Sequence, residues 1–341
     1  MGSTLHLSTE RARLLARQAL GTLAEGIGPI EQKRAAQAHS ASLSDILEAY
    51  LSSRENLADR TVYDYRRLIE CYLSDWKNRP LLALDKDTIE RIHSDIGERS
   101  RAQANYVARL LRALFNFAKE KYPDARIDEN PVQRLSSVKS WYRIQRRQTF
   151  IKNHDLKAWW TATNDINEDS RDYLRVLLLT GLRKLEGAKL ERDLVDLKAR
   201  TFTAIRKGNI THTLPIGKHL FALFSARIKK TEGQRYLFPS WGAKGHITEA
   251  QKSVAKVAEI SDVPFTLHDL RRTFATIAES LDISSYAVKR LLNHAVDNND
   301  VTSGYLAVDA ERLRKPMQQI EDFVLRHCGI MATDQRKAAK K

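Results

Sequence analysis

Apolar side chains return every three or four residues along most of this chain, and only one short stretch alternates with period two. A helix of 3.6 residues per turn gathers positions i, i+3, i+4 and i+7 on one face, so this spacing commits a segment to an amphipathic helix packed on a core. The pattern is densest from 42 to 122, where four sets recur: Ile46/Leu47/Tyr50/Leu51, Val62/Leu68/Ile69/Tyr72, Ile89/Ile92/Ile96 and Val107/Leu110/Leu111/Leu114/Phe115. They predict a small all-helical bundle over 41–130. Its breaks fall at Arg54–Asp59, at Asn78–Asp87 around Pro80 and at Glu98–Gln103, with Asp87 and Glu90 resembling a capping pair. Tyr122, Pro123 and Pro131 close the module.

Ahead of the bundle, Leu14, Leu15 and Leu23 keep helical spacing until Gly26 and Pro29, which predicts one helix and then a small, polar linker at 30–41, the whole of 1–40 standing apart. Behind it, 131–148 carries Arg134, Lys139, Arg143, Arg146 and Arg147 with Trp141 and Tyr142 between them. That composition predicts a basic connector, either lying along a polyanion or simply solvated. From Thr149 the pattern is mixed, with helices expected near 153–163, 170–180, 217–229, 248–260, 268–281 and 284–293. Between them Thr201–Ile205 and Thr211–Leu214 form short β-type runs, and Gly208-Asn209 suits a tight turn needing positive φ. The expected fold class is mainly α with a small β-sheet, confined to 149–328. A chain of 341 residues exceeds one ordinary core, so two or three modules are expected, with 329–341 as a basic, disordered tail.

Lys and Arg number 57 against 42 Asp and Glu, a formal charge of +15. Side chains that neutralise phosphates release condensed counterions, so nucleic acid is the natural partner; a merely soluble surface is the other reading. No apolar run approaches the ~18 residues that span a bilayer. No secretory signal is apparent, and Cys71 and Cys328 lack metal-ligand or disulfide spacing. A cytoplasmic protein without membrane, zinc or cofactor is expected.

Three clusters can do chemistry. In Thr180-Gly181-Leu182-Arg183-Lys184-Leu185-Glu186 an apolar helix runs into a glycine and offers a guanidinium, which Glu186 can orient; a surface ion pair is the alternative. In His268-Asp269-Leu270-Arg271 an imidazole and a guanidinium share one helix face, able to meet one phosphate, where a structural histidine beside a salt-bridged arginine would look the same. Neither cluster has metal-ligand spacing. The third is Leu291-Leu292-Asn293-His294, a polar turn-rich stretch, and then Tyr305, which a core tyrosine would also satisfy.

Taken in order, these segments make residues 42–325 resemble the tyrosine recombinase family, the phage-type integrases. The resemblance rests on Arg183 in TGLRKLE, a hairpin lysine in IRKGN, His268 and Arg271 in HDLRRTFAT, His294 in LLNHA, and Tyr305 in TSGYL. It implies a helical, SAM-like core-binding clamp at 41–130 and a tyrosine recombinase catalytic domain at 149–328, closing on duplex DNA as a C-shaped pair. Residues 5–38 look like the end of an arm-type DNA-binding domain. Arg143, Arg146 and Arg147 would contact DNA. Arg183 and Arg271 would hold the scissile phosphate, supported by Glu186; Tyr305 would attack phosphorus, with Tyr236 and Tyr286 as distant seconds. His268 would accept its proton, His294 would hydrogen-bond the phosphate, and Lys207, with Arg206 the possible confusion, would protonate the leaving 5′-oxygen. Two permanent cations facing the phosphorane remove the need for a metal. The resemblance further implies integration or excision of a mobile element, a phage or genomic island, by a homotetramer on paired sites, with accessory DNA-bending factors. The apolar pattern at Leu306, Met317, Ile320, Phe323, Val324 and Leu325 would dock on a neighbouring subunit or on its own domain. DNA relaxation by a type IB topoisomerase, or DNA binding without catalysis, are the competing functions.

Overall fold

Four amphipathic helices, three of them capped by a side chain, account for most of the first core. In the computed structural model, which describes residues 8–24, 28–125, 127–206, 210–248, 250–293 and 310–331, the chain divides into two units, Met1–Arg146 and Arg147–Lys341. Helices α3 (Leu43–Ser52), α4 (Asp59–Tyr72), α5 (Lys86–Arg99) and α6 (Arg101–Lys121) bury Ile46, Leu47, Leu68, Ile69, Ile89, Leu111, Leu114 and Phe115 together, as the spacing requires. Each such side chain contributes roughly 1.5–3 kcal/mol of transfer free energy. Ser42 opens α3 with a reciprocal cap, accepting from the Asp45 N–H at 3.1 Å while the Asp45 carboxylate accepts from the Ser42 N–H at 3.1 Å. The cap of α5 is Asp85, which accepts from the Thr88 N–H at 2.8 Å, so the expected Asp87/Glu90 pair is displaced by two residues.

Two further expectations are corrected here. The stretch read as a polar linker at 30–41 is helical: after α1 (Thr9–Ala24), α2 spans Pro29–Ser40. Pro29 opens it where a missing N–H costs nothing, and Glu31 accepts from the Gly28 N–H at 3.1 Å. Its sequence lacks an apolar stripe, so periodicity does not reveal it; Ala38 is the residue it buries. The first part of the basic connector is core, not linker. Val132 and Leu135, the latter on α7 (Gln133–Ser137), are wholly buried. Beyond them Tyr142 stacks on the buried His93 at 4.7 Å, and Asn105 ties both down, its Oδ1 3.0 Å from His93 Nε2 and its Nδ2 donating to the Tyr142 carbonyl at 2.8 Å. A side chain at Gly97 would lie 2.1 Å from the Tyr142 hydroxyl, so α5 accepts this ring only because 97 is glycine. Residues 143–148 alone stay extended and exposed.

The second unit is built around α9 (Glu168–Thr180), whose Tyr173, Leu174 and 176–179 are all buried among the helices packed against it. Around it lie α8 (Leu156–Ala162), α10 (Lys184–Ala188), α11 (Lys218–Lys230), α12 (Gln251–Ser261), α13 (Leu267–Ser280) and α14 (Ser285–Leu291). The sheet is antiparallel in the order β1 (Val195–Asp196), β2 (Thr201–Arg206), β3 (Ile210–Pro215), with Phe202 opposite Leu214 and Ala204 opposite His212. The Gly208-Asn209 turn, Leu306 and the tail from 332 lie outside the described residues.

The last helix, α15 (Ala310–His327), settles onto its own unit: Leu313, Met317, Ile320, Val324 and Leu325 join the core of α9 and α13. Its buried Glu321 accepts from the N–H groups of His219 and Leu220 at 2.8 and 3.0 Å, capping α11 from a distance of a hundred residues. The apolar face expected to reach a neighbouring subunit is therefore spent within this unit. Among the described residues no helix is long and apolar enough to cross a membrane.

Candidate active site

Helix α9 ends at Gly181, whose φ of 66° is left-handed. A Cβ there would also lie 2.6 Å from the Phe274 ring and 2.9 Å from Leu292, so the turn needs glycine for both conformation and space. The reversal puts Arg183 at the N-terminal cap of α10, where Glu186 holds it twice: one carboxylate oxygen accepts from the Arg183 N–H at 2.9 Å, the other from Nη1 at 2.8 Å. Glu186 is buried, while 42% of the Arg183 side chain stays exposed. The guanidinium is thus aimed by a carboxylate and left open to a ligand.

Thr266 starts α13, which carries His268 on its outer side and Arg271 in its interior. Arg271 is buried; Nη1 donates to the Gly181 carbonyl at 2.6 Å and Nη2 to the Leu292 carbonyl. Burial, then the Arg183 charge, pushes its pKa down to about 10, with Glu186 opposing, and it remains a cation at neutral pH. His268 is lowered as well, by burial first and then by Arg272, Arg271 and, more weakly, Arg183, so its imidazole is neutral near pH 7. Arg183, Glu186, His268 and Arg271 therefore share one electrostatic field although 88 positions of sequence separate the outer pair. Such a field, richer in cations than carboxylates, suits an anion.

Lys207, His294 and Tyr305 lie outside the described residues. What flanks them is fixed: Arg206 pairs with Ile210 at the end of the β2–β3 ladder, and α14 delivers the Leu292 carbonyl to Arg271. Tyr236 packs edge-on to His246 at 5.3 Å, and the Tyr286 hydroxyl accepts from Arg290 at 3.2 Å. Arg143, Arg146 and Arg147 are exposed, and Arg147 is fastened to Asp269 at 3.6 Å.

Sequence reasoning missed several neighbours. Asp269, between the two candidates of HDLR, is fully buried and holds Arg272 at 2.8 Å and the Thr149 hydroxyl at 2.8 Å. The capping-box spacing from Thr266 to Asp269 was the signal available for it. His212, half-buried on β3, feels Glu186 and the backbone of Arg290 and Leu291, with burial lowering its pKa. Only the register of the hairpin exposes that role.

Residues 149–312 match the phage integrase family. The chain is 25% identical over 270 residues to prophage integrase IntF of Escherichia coli K12, spanning 76% of this chain but 57% of IntF. It is 27% identical over 295 residues to tyrosine recombinase XerD of Yersinia pestis, covering 80% of this chain and 96% of that one. The fold resembles the Tn1549 transposon integrase solved in complex with circular intermediate DNA (TM-score 0.62, 18% identity, 80% and 98% covered). It also resembles the lambda integrase tetramer bound to a Holliday junction (TM-score 0.62, 16% identity, 84% and 88% covered).

Proposed function

We propose, from the match of residues 149–312 to the phage integrase family, that the chain is a site-specific DNA recombinase, cutting and rejoining duplex DNA through a tyrosyl phosphodiester. The observation that carries this reading is the convergence of Arg183 and Arg271, brought from separate helices to one field that buries Glu186 as its carboxylate. Two planar cationic forks match the non-bridging oxygens of one phosphate and stabilise the charge that grows on it in the phosphorane.

Tyr305 supplies the nucleophile. Its phenol, with a pKa near ~10 unperturbed, needs a proton acceptor at neutral pH, and neutral His268 provides one. The Tyr305 oxygen forms a bond to phosphorus as the bond to the 5′-oxygen breaks. Lys207 gives that oxygen a proton and His294 hydrogen-bonds the phosphate, leaving a 3′-phosphotyrosine and a free 5′-hydroxyl. The ester bond is exchanged rather than hydrolysed, so a 5′-hydroxyl from another strand reverses the step without ATP.

The helical unit would clamp the duplex and Arg143, Arg146 and Arg147 would meet its backbone. Four copies on two paired sites would exchange strands of a phage or genomic island in the cytoplasm, with DNA-bending proteins assisting. Relatives named as integrases and recombinases favour this over topoisomerase-type relaxation. Replacing the nucleophile tests it: Tyr305→Phe should abolish the covalent adduct on a nicked duplex while DNA binding persists, and an undiminished adduct refutes the assignment.

A further inference from the structure

Asp269 takes no part in the chemistry above, yet it gathers the side chains of Thr149, Thr266, Arg147 and Arg272. It is fully buried. One oxygen accepts from the Thr266 N–H at 2.8 Å and hydroxyl at 2.7 Å; the other accepts from the Thr149 hydroxyl and from Arg272 Nη1, both at 2.8 Å. Arg147 Nη2 stands 3.6 Å away, and Arg147 Nε donates to the Thr149 oxygen at 2.6 Å. The same segment is pinned again where the Ile151 N–H donates to the Thr273 hydroxyl at 2.8 Å. Burial raises the Asp269 carboxyl, but the hydrogen bonds from Thr266, Thr149 and Arg272 outweigh it and keep it below the ordinary carboxylate range, an anion at neutral pH.

The charge count is the informative part. Two guanidiniums share a single carboxylate, so the cluster carries a net positive charge at a fixed place. The Arg147 and Arg272 side chains remain 52% and 29% exposed, and each keeps most of its N–H donors for another acceptor. Arg272 is the strongest of the charges acting on His268, ahead of Arg271, so the cluster borders the phosphate site itself. Planar forks fixed in place by a buried anchor suit a second tetrahedral anion.

We propose that Arg147 and Arg272, gathered on Asp269 and Thr149, form a second phosphate clamp that grips a DNA backbone phosphate adjacent to the scissile one, with Asp269 as the residue that positions both. The proposal rests on the recombinase reading. It makes the first residues of the second unit part of the DNA-gripping surface, fastened directly to the helix that carries His268 and Arg271.

The test uses the full chain and a duplex selected from a random-sequence library by binding to the wild-type protein, with a neutral methylphosphonate placed at one phosphate at a time. Wild type should lose about tenfold in affinity at one position beside the cleaved bond. Arg147→Gln/Arg272→Gln should bind unmodified duplex tenfold or more weakly, with a salt slope shallower by about 2, near 0.9 per lost cation. It should show no further loss at that position. Asp269→Asn should reproduce part of this with both arginines present; should it fail to fold, the double variant, altered only at partly exposed side chains, carries the test alone. Wild-type affinity and slope in the double variant, or an unchanged methylphosphonate penalty, overturns the clamp. Failure of the recombinase reading looks different: wild type binds the duplex, yet no Tyr305 adduct forms.

Discussion

Among the described residues, the buried polar side chains of the helical unit are the uncharged Asn105 and Asn130 and His93, whereas the second unit encloses Asp172, Glu186, Arg227, Asp269, Arg271 and Glu321. An enclosed charge costs several kcal/mol of lost hydration and survives only where partners surround it. Arg227 shows the demand: it donates through Nε to the Leu237 carbonyl at 3.1 Å and pairs with Asp169. Three of the six, Glu186, Asp269 and Arg271, ring the candidate site; the other three join helices. The first unit is thus organised to keep a shape, and the second to hold charges where water would otherwise scatter them.

Arg183→Gln breaks that contrast most sharply. Removing one charge-stabilising donor should lower the rate of adduct formation by roughly 10²–10³-fold, while the fold persists, because the backbone N–H of residue 183 still donates to the buried Glu186 and the glutamine amide can replace the lost guanidinium bond. A rate within twofold of wild type would mean the gathered cations do not act on phosphorus.

Stability should divide along the same line. Leu114→Ala, at a wholly buried position of α6, should cost the helical unit about 2–5 kcal/mol. Glu321→Ala strips the acceptor from the His219 and Leu220 N–H groups and should cost the second unit about 1–3 kcal/mol. Hydrogen exchange resolved by segment reads both, and protection lost equally in both units would erase the distinction.

The smallest effect is in pH. His268 is lowered by burial and neighbouring arginines, so its neutral form is complete above that depressed value and is lost as pH falls through it. Adduct formation by wild type should decline as pH falls through that depressed value, with its half-point below the ordinary histidine value of 6.5; a half-point at or above 6.5 would place the proton acceptor elsewhere.

What could be read in advance follows from the range of the interactions involved. Helices α3 to α6 were legible because their apolar residues repeat on one face, and Arg183 with Glu186 because partners three apart meet on any helix. Helix α2 was not, since its alanines and polar residues make no stripe. Trp141 and Tyr142 look like linker from the arginines around them, although His93 and Asn105, some forty positions away, hold them half-buried against the core. Asp269 escaped for the same reason: Thr149 is 120 positions distant, and only folding discloses the pair.

Arg271 fastens the ends of α9 and α14 together by donating to the carbonyls of Gly181 and Leu292. A loss-of-function allele at that codon would therefore report architecture and reactivity at once. Genetic studies wanting an inert but intact copy are better served by Arg183→Gln, whose amide can still donate to Glu186.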